Sequence, residues 1–347
     1  MKTSITAPRR LARTGLVIAS AVILAGPSAW AAPDSPPSLG LPIDCVPGKT
    51  CWIVNYVDDD PGPGRLDYRC GWLTYDGHKG TDFGIVDIAA MRAGVPVLAT
   101  APGTVVGIRD GMADRAISSP ADIASLSGRD CGNGVTIAHA DGWSTEYCHL
   151  RLGSVAVKYG QVVQRGQILG LVGLSGRTEF PHVHLAVRHN AEVVDPFVGL
   201  EGSPRCGPGN APLWDAATLE RLSYRSALPY TAGFATALPT KEEIRNGALS
   251  AGTVLGPTAT LISWVDTFWP RKGDEILFSI LHPDGKTRRS HAISVKKDMP
   301  REFYFVRLTA KSGFLAAGTY EAEIHYLRAS GPAGREEVKL VRRITLL

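Results

Sequence analysis

Ile168-Leu169-Gly170-Leu171-Val172 and, ten residues on, His182-Val183-His184-Leu185-Ala186-Val187 decide the fold class. Each is a short apolar run rich in β-branched residues and bounded by Gly, Pro or Ser, the pattern of a buried strand rather than of a helix. The same grammar extends outward through Val95-Pro96-Val97-Leu98-Ala99, Gly103-Thr104-Val105-Val106-Gly107-Ile108 and Val135-Thr136-Ile137-Ala138. Short strands at this spacing predict an all-β, antiparallel domain over residues 71–200. The polar, Ala/Ser-rich stretch from Met112 to Asp130 reads as a surface loop with a helical turn, inserted between two strands.

A Gly/Pro-rich break at Gly202–Gly209 ends this domain, and residues 201–250 read as a linker. Strand-like runs recur at 259–265, 275–281, 302–308, 320–327 and 338–346, separated by turns such as Pro283-Asp284-Gly285. They predict a β-sandwich-like accessory module over 251–347. Its histidines, His282, His291 and His325, are scattered and read as surface or packing residues, as do His139 and His189 in the first domain. Residues 32–70, rich in Pro, Gly and Asp, read as an irregular N-terminal arm, placed to cover the functional groove as an inhibitory segment.

The chain opens with Lys2, Arg9, Arg10 and Arg13, an apolar run from Leu16 to Ala25, and Ala29-Trp30-Ala31. This is the layout of a signal peptide, residues 1–31, with an A-x-A exit. Export to a periplasmic or extracellular location follows, with no stable membrane insertion after cleavage. The leader's four cations equal the formal net charge of +4, so the mature chain is neutral and the basic balance gives no argument for nucleic acid. Six cysteines fit an oxidising compartment. Cys45 with Cys51 closes a short loop, and Cys131 with Cys148 flanks a hairpin turning at Ala140-Asp141-Gly142. Cys70 with Cys206 is left by elimination. No C-x-x-C pair is present, which disfavours thiolate metal ligation.

Three segments of the first domain carry chemistry. His78-Lys79-Gly80-Thr81-Asp82 places an imidazole and a carboxylate four residues apart, among glycines that argue for a bent strand or turn. In His182-Val183-His184, strand alternation puts both imidazoles on one face. In Tyr147-Cys148-His149 the same alternation predicts that Tyr147 and His149 share a face while Cys148 points away. Imidazole and carboxylate are zinc ligands; a three-ligand site leaves a fourth position for water, and further imidazoles can move a proton or hold an oxyanion.

At these residues the sequence resembles the lysostaphin-like (LytM-type) zinc metalloendopeptidases, which cut peptides in bacterial cell walls. The resemblance runs from about Tyr75 to Phe197 and includes Gly77–Asp82, Gly94-Val95-Pro96-Val97, Ala101–Val105, Gly132-Asn133-Gly134-Val135, Tyr147–Leu150, Gly160–Gly170 and Pro181–His184. It implies an antiparallel β-sheet groove with Zn2+ on its floor. The zinc ligands it implies are His78, Asp82 and His184, and the catalytic histidines are His149 and His182. It implies peptidoglycan peptides as the substrate. Two other readings fit the same residues: an exported zinc-binding regulator of wall hydrolases without activity of its own, and a metallopeptidase acting on other exported proteins.

Overall fold

The computed structural model describes residues 1, 3–4, 36–202, 206–249, 254–332 and 334–347. The leader read at residues 1–31 lies outside the described residues apart from Met1, Thr3 and Ser4. Among the described residues no helix is long and apolar enough to cross a membrane.

The first strands are β1 (Cys51–Asn55), β2 (Thr81–Ile85), β3 (Pro96–Leu98), β4 (Gly103–Arg109), β5 (Asn133–Ala138), β6 (Trp143–Leu150), β7 (Val162–Val163), β8 (Ile168–Leu171), β9 (His182–His189) and β10 (Glu192–Val193). Helix α1 (Ile88–Ala93) follows β2, and α2 (Pro120–Leu126) sits in the insertion between β4 and β5. The main sheet runs β1-β2-β9-β6-β5-β4-β7, with β10 paired to β9 and a separate β3-β8 ribbon. The fold is all-β and antiparallel, as the alternation of Val, Ile and Leu with glycine turns predicts. The arm is less irregular than its composition suggests. Its β1 is the edge strand of the sheet, Cys51 opposite Ile85, and Leu39, Ile43, Val54, Tyr56 and Tyr68 are buried in the main core. The arm reaches the groove through Asn55 and Arg65, as part of its wall.

Downstream lie α3 (Ala216–Arg221), β11 (Leu228–Ala235), α4 (Lys241–Arg245), β12 (Val254–Leu255), β13 (Thr260–Phe268), β14 (Glu275–Leu281), β15 (Arg288–Ser294), β16 (Arg301–Thr309), β17 (Gly318–Arg328) and β18 (Glu336–Leu346). Sheets β11-β13-β16 and β12-β18-β17-β14-β15 enclose a second core of Phe234, Val265, Phe278, Ile324 and neighbours, which makes the module a sandwich. The stretch 201–250 is more than a linker, because β11 within it pairs along β13 from Leu228↔Phe268 to Ala235↔Ile262.

The two halves share one core. Leu228, Tyr230, Phe268 and Trp269 of the downstream module belong to the same buried cluster as Val54, Phe83 and Val183. Trp269 Nε1 donates to the Val54 carbonyl at 2.9 Å. Arg328, 1% exposed, donates to the carbonyls of Ser226 and Trp269 and to the Asp274 carboxylate. A buried guanidinium is tolerated only with such a full set of acceptors. The disulfides are Cys45–Cys51, Cys70–Cys206 and Cys131–Cys148, the three pairs read from the sequence.

Candidate active site

Register assembles the site. Asp82 on β2 stands opposite His184 on β9, and Gly84 stands opposite His182. Antiparallel partners share a face, so Asp82, His182 and His184 point the same way while Phe83 and Val183 pack into the core. His78 arrives from the turn before β2. Gly80 allows that turn to press on the sheet: a Cβ there would lie 2.6 Å from Cε1 and Nε2 of His184 and 2.6 Å from the Leu185 carbonyl oxygen.

Three ligand atoms converge. His78 Nε2 lies 3.2 Å from Asp82 Oδ1 and 3.1 Å from His184 Nδ1, and His184 Nδ1 lies 2.8 Å from Asp82 Oδ1. His78 Nδ1 is 2.6 Å from the Tyr56 carbonyl oxygen. A carbonyl only accepts, so Nδ1 carries the proton and Nε2 keeps its lone pair for the cluster. Asn55 Nδ2 donates to Asp82 Oδ2 at 2.7 Å and leaves Oδ1 for the histidines. Burial pushes the Asp82 carboxyl up, but His78 and His182 outweigh it and hold it well below the usual range, as an anion. Desolvation holds His184 down, as a neutral imidazole. Tetrahedral zinc bonded at about 2.0–2.1 Å separates its ligand atoms by about 3.3 Å. The His78–Asp82–His184 donor set fits that ion.

His149 reaches the site by a route that alternation did not predict. Register places Cys148 opposite His184 and Tyr147 opposite Leu185, so Tyr147 faces the core, where its hydroxyl meets Thr100. An alternating His149 would follow Tyr147 away from the site. Instead its φ is +63°, and the β5–β6 register slips between Asn133 and Val135, so that Gly134 faces two residues of β6. This β-bulge re-aims the side chain. The expectation that Tyr147 and His149 share a face while Cys148 points away is therefore corrected. The His149 ring lies 4.6 Å from that of His182 and 6.1 Å from that of His184.

Both of these histidines are locked in one tautomer. His149 Nδ1 donates to the Ser175 carbonyl at 2.8 Å, and His182 Nδ1 to the Phe180 carbonyl at 2.9 Å. Each therefore presents a basic Nε2. His182 Nε2 lies 3.4 Å from Asp82 Oδ1. Burial holds His149 well below the ordinary imidazole value, and the neighbouring His182 and His184 add to that, so it is neutral. His139 and His189 have structural partners, the Pro102 and Asp141 carbonyls.

Residues 76–196, about a third of the chain, match the profile of Peptidase family M23. The chain carries an M23 domain. Among curated relatives of the M23 domain, the peptidoglycan DD-endopeptidase ShyA of Vibrio cholerae is 37% identical over 107 residues, 31% of this chain and 19% of that protein. The DD-carboxypeptidase/endopeptidase Mpg of Neisseria meningitidis serogroup B is 43% identical over 65 residues, 19% of this chain and 14% of that protein. The first two curated relatives are matched over only 19% and 22% of their own length. Among solved structures, the catalytic domain of the antimicrobial peptidase lysostaphin from Staphylococcus simulans aligns with 41% of this chain and 85% of that one, at 25% identity and a TM-score of 0.27.

The groove of the M23 domain, about 480 Å³, also holds residues the sequence did not single out. Ile117 and Ile123 of the insertion border it, and Asn55 lines it with a buried Oδ1 that has no hydrogen-bond partner among the described residues. Tyr75 stacks on His78 with ring centroids 4.4 Å apart. The far wall is Phe268, Trp269, Pro300 and Arg301, from a module the sequence set apart as accessory.

Proposed function

We propose that this chain is an exported zinc metalloendopeptidase that hydrolyses a peptide bond in peptidoglycan cross-links. The observation that carries the reading is the pairing of a three-ligand cluster with two carbonyl-locked histidines in one groove. His78, Asp82 and His184 would hold the ion; a closed structural site would use a fourth protein ligand. Zinc bound there supplies Lewis acidity, which acidifies water towards neutral pH and polarises a carbonyl. One of His149 and His182 would take up the single proton of the attacking water at Nε2 and return it to the departing amine nitrogen as the C–N bond breaks. While it holds that proton, its Nε2–H would face the developing oxyanion. Peptidoglycan as substrate is supported by the likeness to a peptidoglycan DD-endopeptidase and a DD-carboxypeptidase/endopeptidase. Export is supported by three disulfides and the leader composition.

The test is digestion of purified peptidoglycan with mass analysis of the released fragments, for wild type and His149→Ala. Wild type with zinc should open peptide cross-links, and His149→Ala should lose about 10²-fold or more in rate while retaining bound zinc by elemental analysis. Equal digestion by the variant would refute the mechanism. A zinc-loaded wild type that cuts nothing would favour the regulator reading.

A further inference from the structure

The catalytic groove is not built by the M23 domain alone. Phe268 and Trp269, at the end of β13, and Arg301, at the start of β16, form its far wall, with Arg245 from the end of α4 beside them. This wall is fixed in place. Trp269 is anchored to β1 through its indole nitrogen. The Phe268 ring lies 4.9 Å from that of Phe180, which stacks 4.5 Å from His182.

The wall is also cationic. Arg245 and Arg301 converge on a single carboxylate, Asp266, which is fully buried; the Nε–Oδ2 distances are 3.5 and 3.2 Å. Among the described residues neither guanidinium has a second acidic partner. Arg301 lies 4.7 Å from the centre of the Phe268 ring, so its fork is held against an apolar surface. Arg65 stacks over Trp269 at 4.9 Å, and among the described residues it pairs with no acid. Arg177 is exposed on the same groove. Against these four cations the lining offers two acids, Asp82, committed to the histidine cluster, and the exposed Glu179.

We propose that this wall is a substrate subsite that binds a free carboxylate of the peptide flanking the scissile bond. Arg245 and Arg301 receive the carboxylate, and Trp269 and Phe268 pack against the carbon chain that bears it. A planar guanidinium matches a carboxylate with two parallel hydrogen bonds. The subsite rests on the peptidase reading for its substrate class but not for its charge. It makes the downstream module a specificity element of the active site.

The experiment uses the full chain and two synthetic cross-linked peptide dimers, one with free carboxylates flanking the D,D-amide and one with the same groups amidated. Calorimetric binding and hydrolysis are both measured, for wild type, Arg245→Gln and Arg301→Gln. Wild type should bind the free acid about tenfold more tightly, the size of one charge-assisted contact. Each variant should lose that preference, and the loss should appear in KM for the free-acid dimer rather than in kcat. Arg245 is the more exposed of the two, so its variant keeps the test open should Arg301→Gln destabilise the fold through Asp266. Equal binding of the two dimers by wild type, or a preference kept in both variants, overturns the subsite. Discriminating binding without hydrolysis keeps the subsite and removes the peptidase reading. Hydrolysis without discrimination does the reverse, and neither binding nor hydrolysis removes both.

Discussion

At the residue scale the site turns on Asp82, whose Oδ1 meets His78 and His184 while its Oδ2 accepts from Asn55. His78, Asp82, His182 and His184 follow from ligand chemistry and strand parity, and the structure brings them together. His149 was singled out, but the parity argument for it failed because a left-handed residue and a register slip leave no mark in hydrophobic alternation. Asn55, which steadies Asp82, lies in a segment whose prolines and glycines hid a strand. A buried acid elsewhere gives a pH-dependent test. Asp195 accepts from the Phe197 amide through Oδ1, while its buried Oδ2 has no hydrogen-bond partner among the described residues. Burial, with Asp59 adding, pushes its carboxyl well above the usual range. The folded state therefore binds a proton that the unfolded state releases, so this residue's stabilisation is complete at acid pH and is lost as pH rises towards the folded value. Asp195→Asn keeps the Oδ1 acceptor and removes the titration. Its melting temperature should match wild type near pH 4 and exceed it increasingly above that. A constant offset across the range would contradict the assignment.

At the scale of elements, strands with uninterrupted apolar runs were visible and interrupted ones were not. β14 was read at its observed bounds, 275–281, and β18 from the run at 338–346, two residues inside its observed start at Glu336. β11 carries Pro229 and Gly233, residues that weaken a strand signal, yet all eight of its residues are buried. There Gly233 makes room for Trp264, whose ring would lie 2.6 Å from a Cβ. β15 is polar and mostly exposed, so no core face announced it. The bulge in β6, opposite Gly134, is the element that aims His149. A Cβ at Gly134 would sit 2.7 Å from the Tyr147 carbonyl oxygen and 2.8 Å from Cys131 Sγ. Gly134→Ala should cost about 1–3 kcal/mol through overpacking. It should also lower kcat/KM by more than the loss of folded protein explains, because the backbone that aims His149 must shift. Thermal melts beside steady-state rates separate the two effects, and full activity per folded molecule would dismiss the bulge as a positioning device.

At the scale of the molecule, sequence divided what packing joins. Linker-like composition at 201–250 suggested a tethered accessory module, whereas residues 36–347 form one compact unit with a core that crosses the boundary. A chain ending at Arg225 would expose the faces that Leu228, Tyr230, Phe268 and Trp269 now cover, and it would lose the Trp269 indole bond to the Val54 carbonyl. It should aggregate or fail to melt cooperatively, while the full chain should unfold in a single calorimetric transition. Two well-separated transitions would mean that the modules are independent. Removing residues 32–69 should likewise unfold the protein rather than relieve inhibition, because it strips β1 from the sheet.

The Cys70–Cys206 bond has a topological effect of its own. It closes a covalent ring around the whole M23 domain, from before His78 to beyond His184. A protease that cuts once inside the ring, for instance in the exposed part of the insertion around α2, opens the loop without releasing a fragment. Such a nicked molecule would migrate as one chain until a reductant was added. A single scission would then leave the walls of the groove in one covalently joined piece.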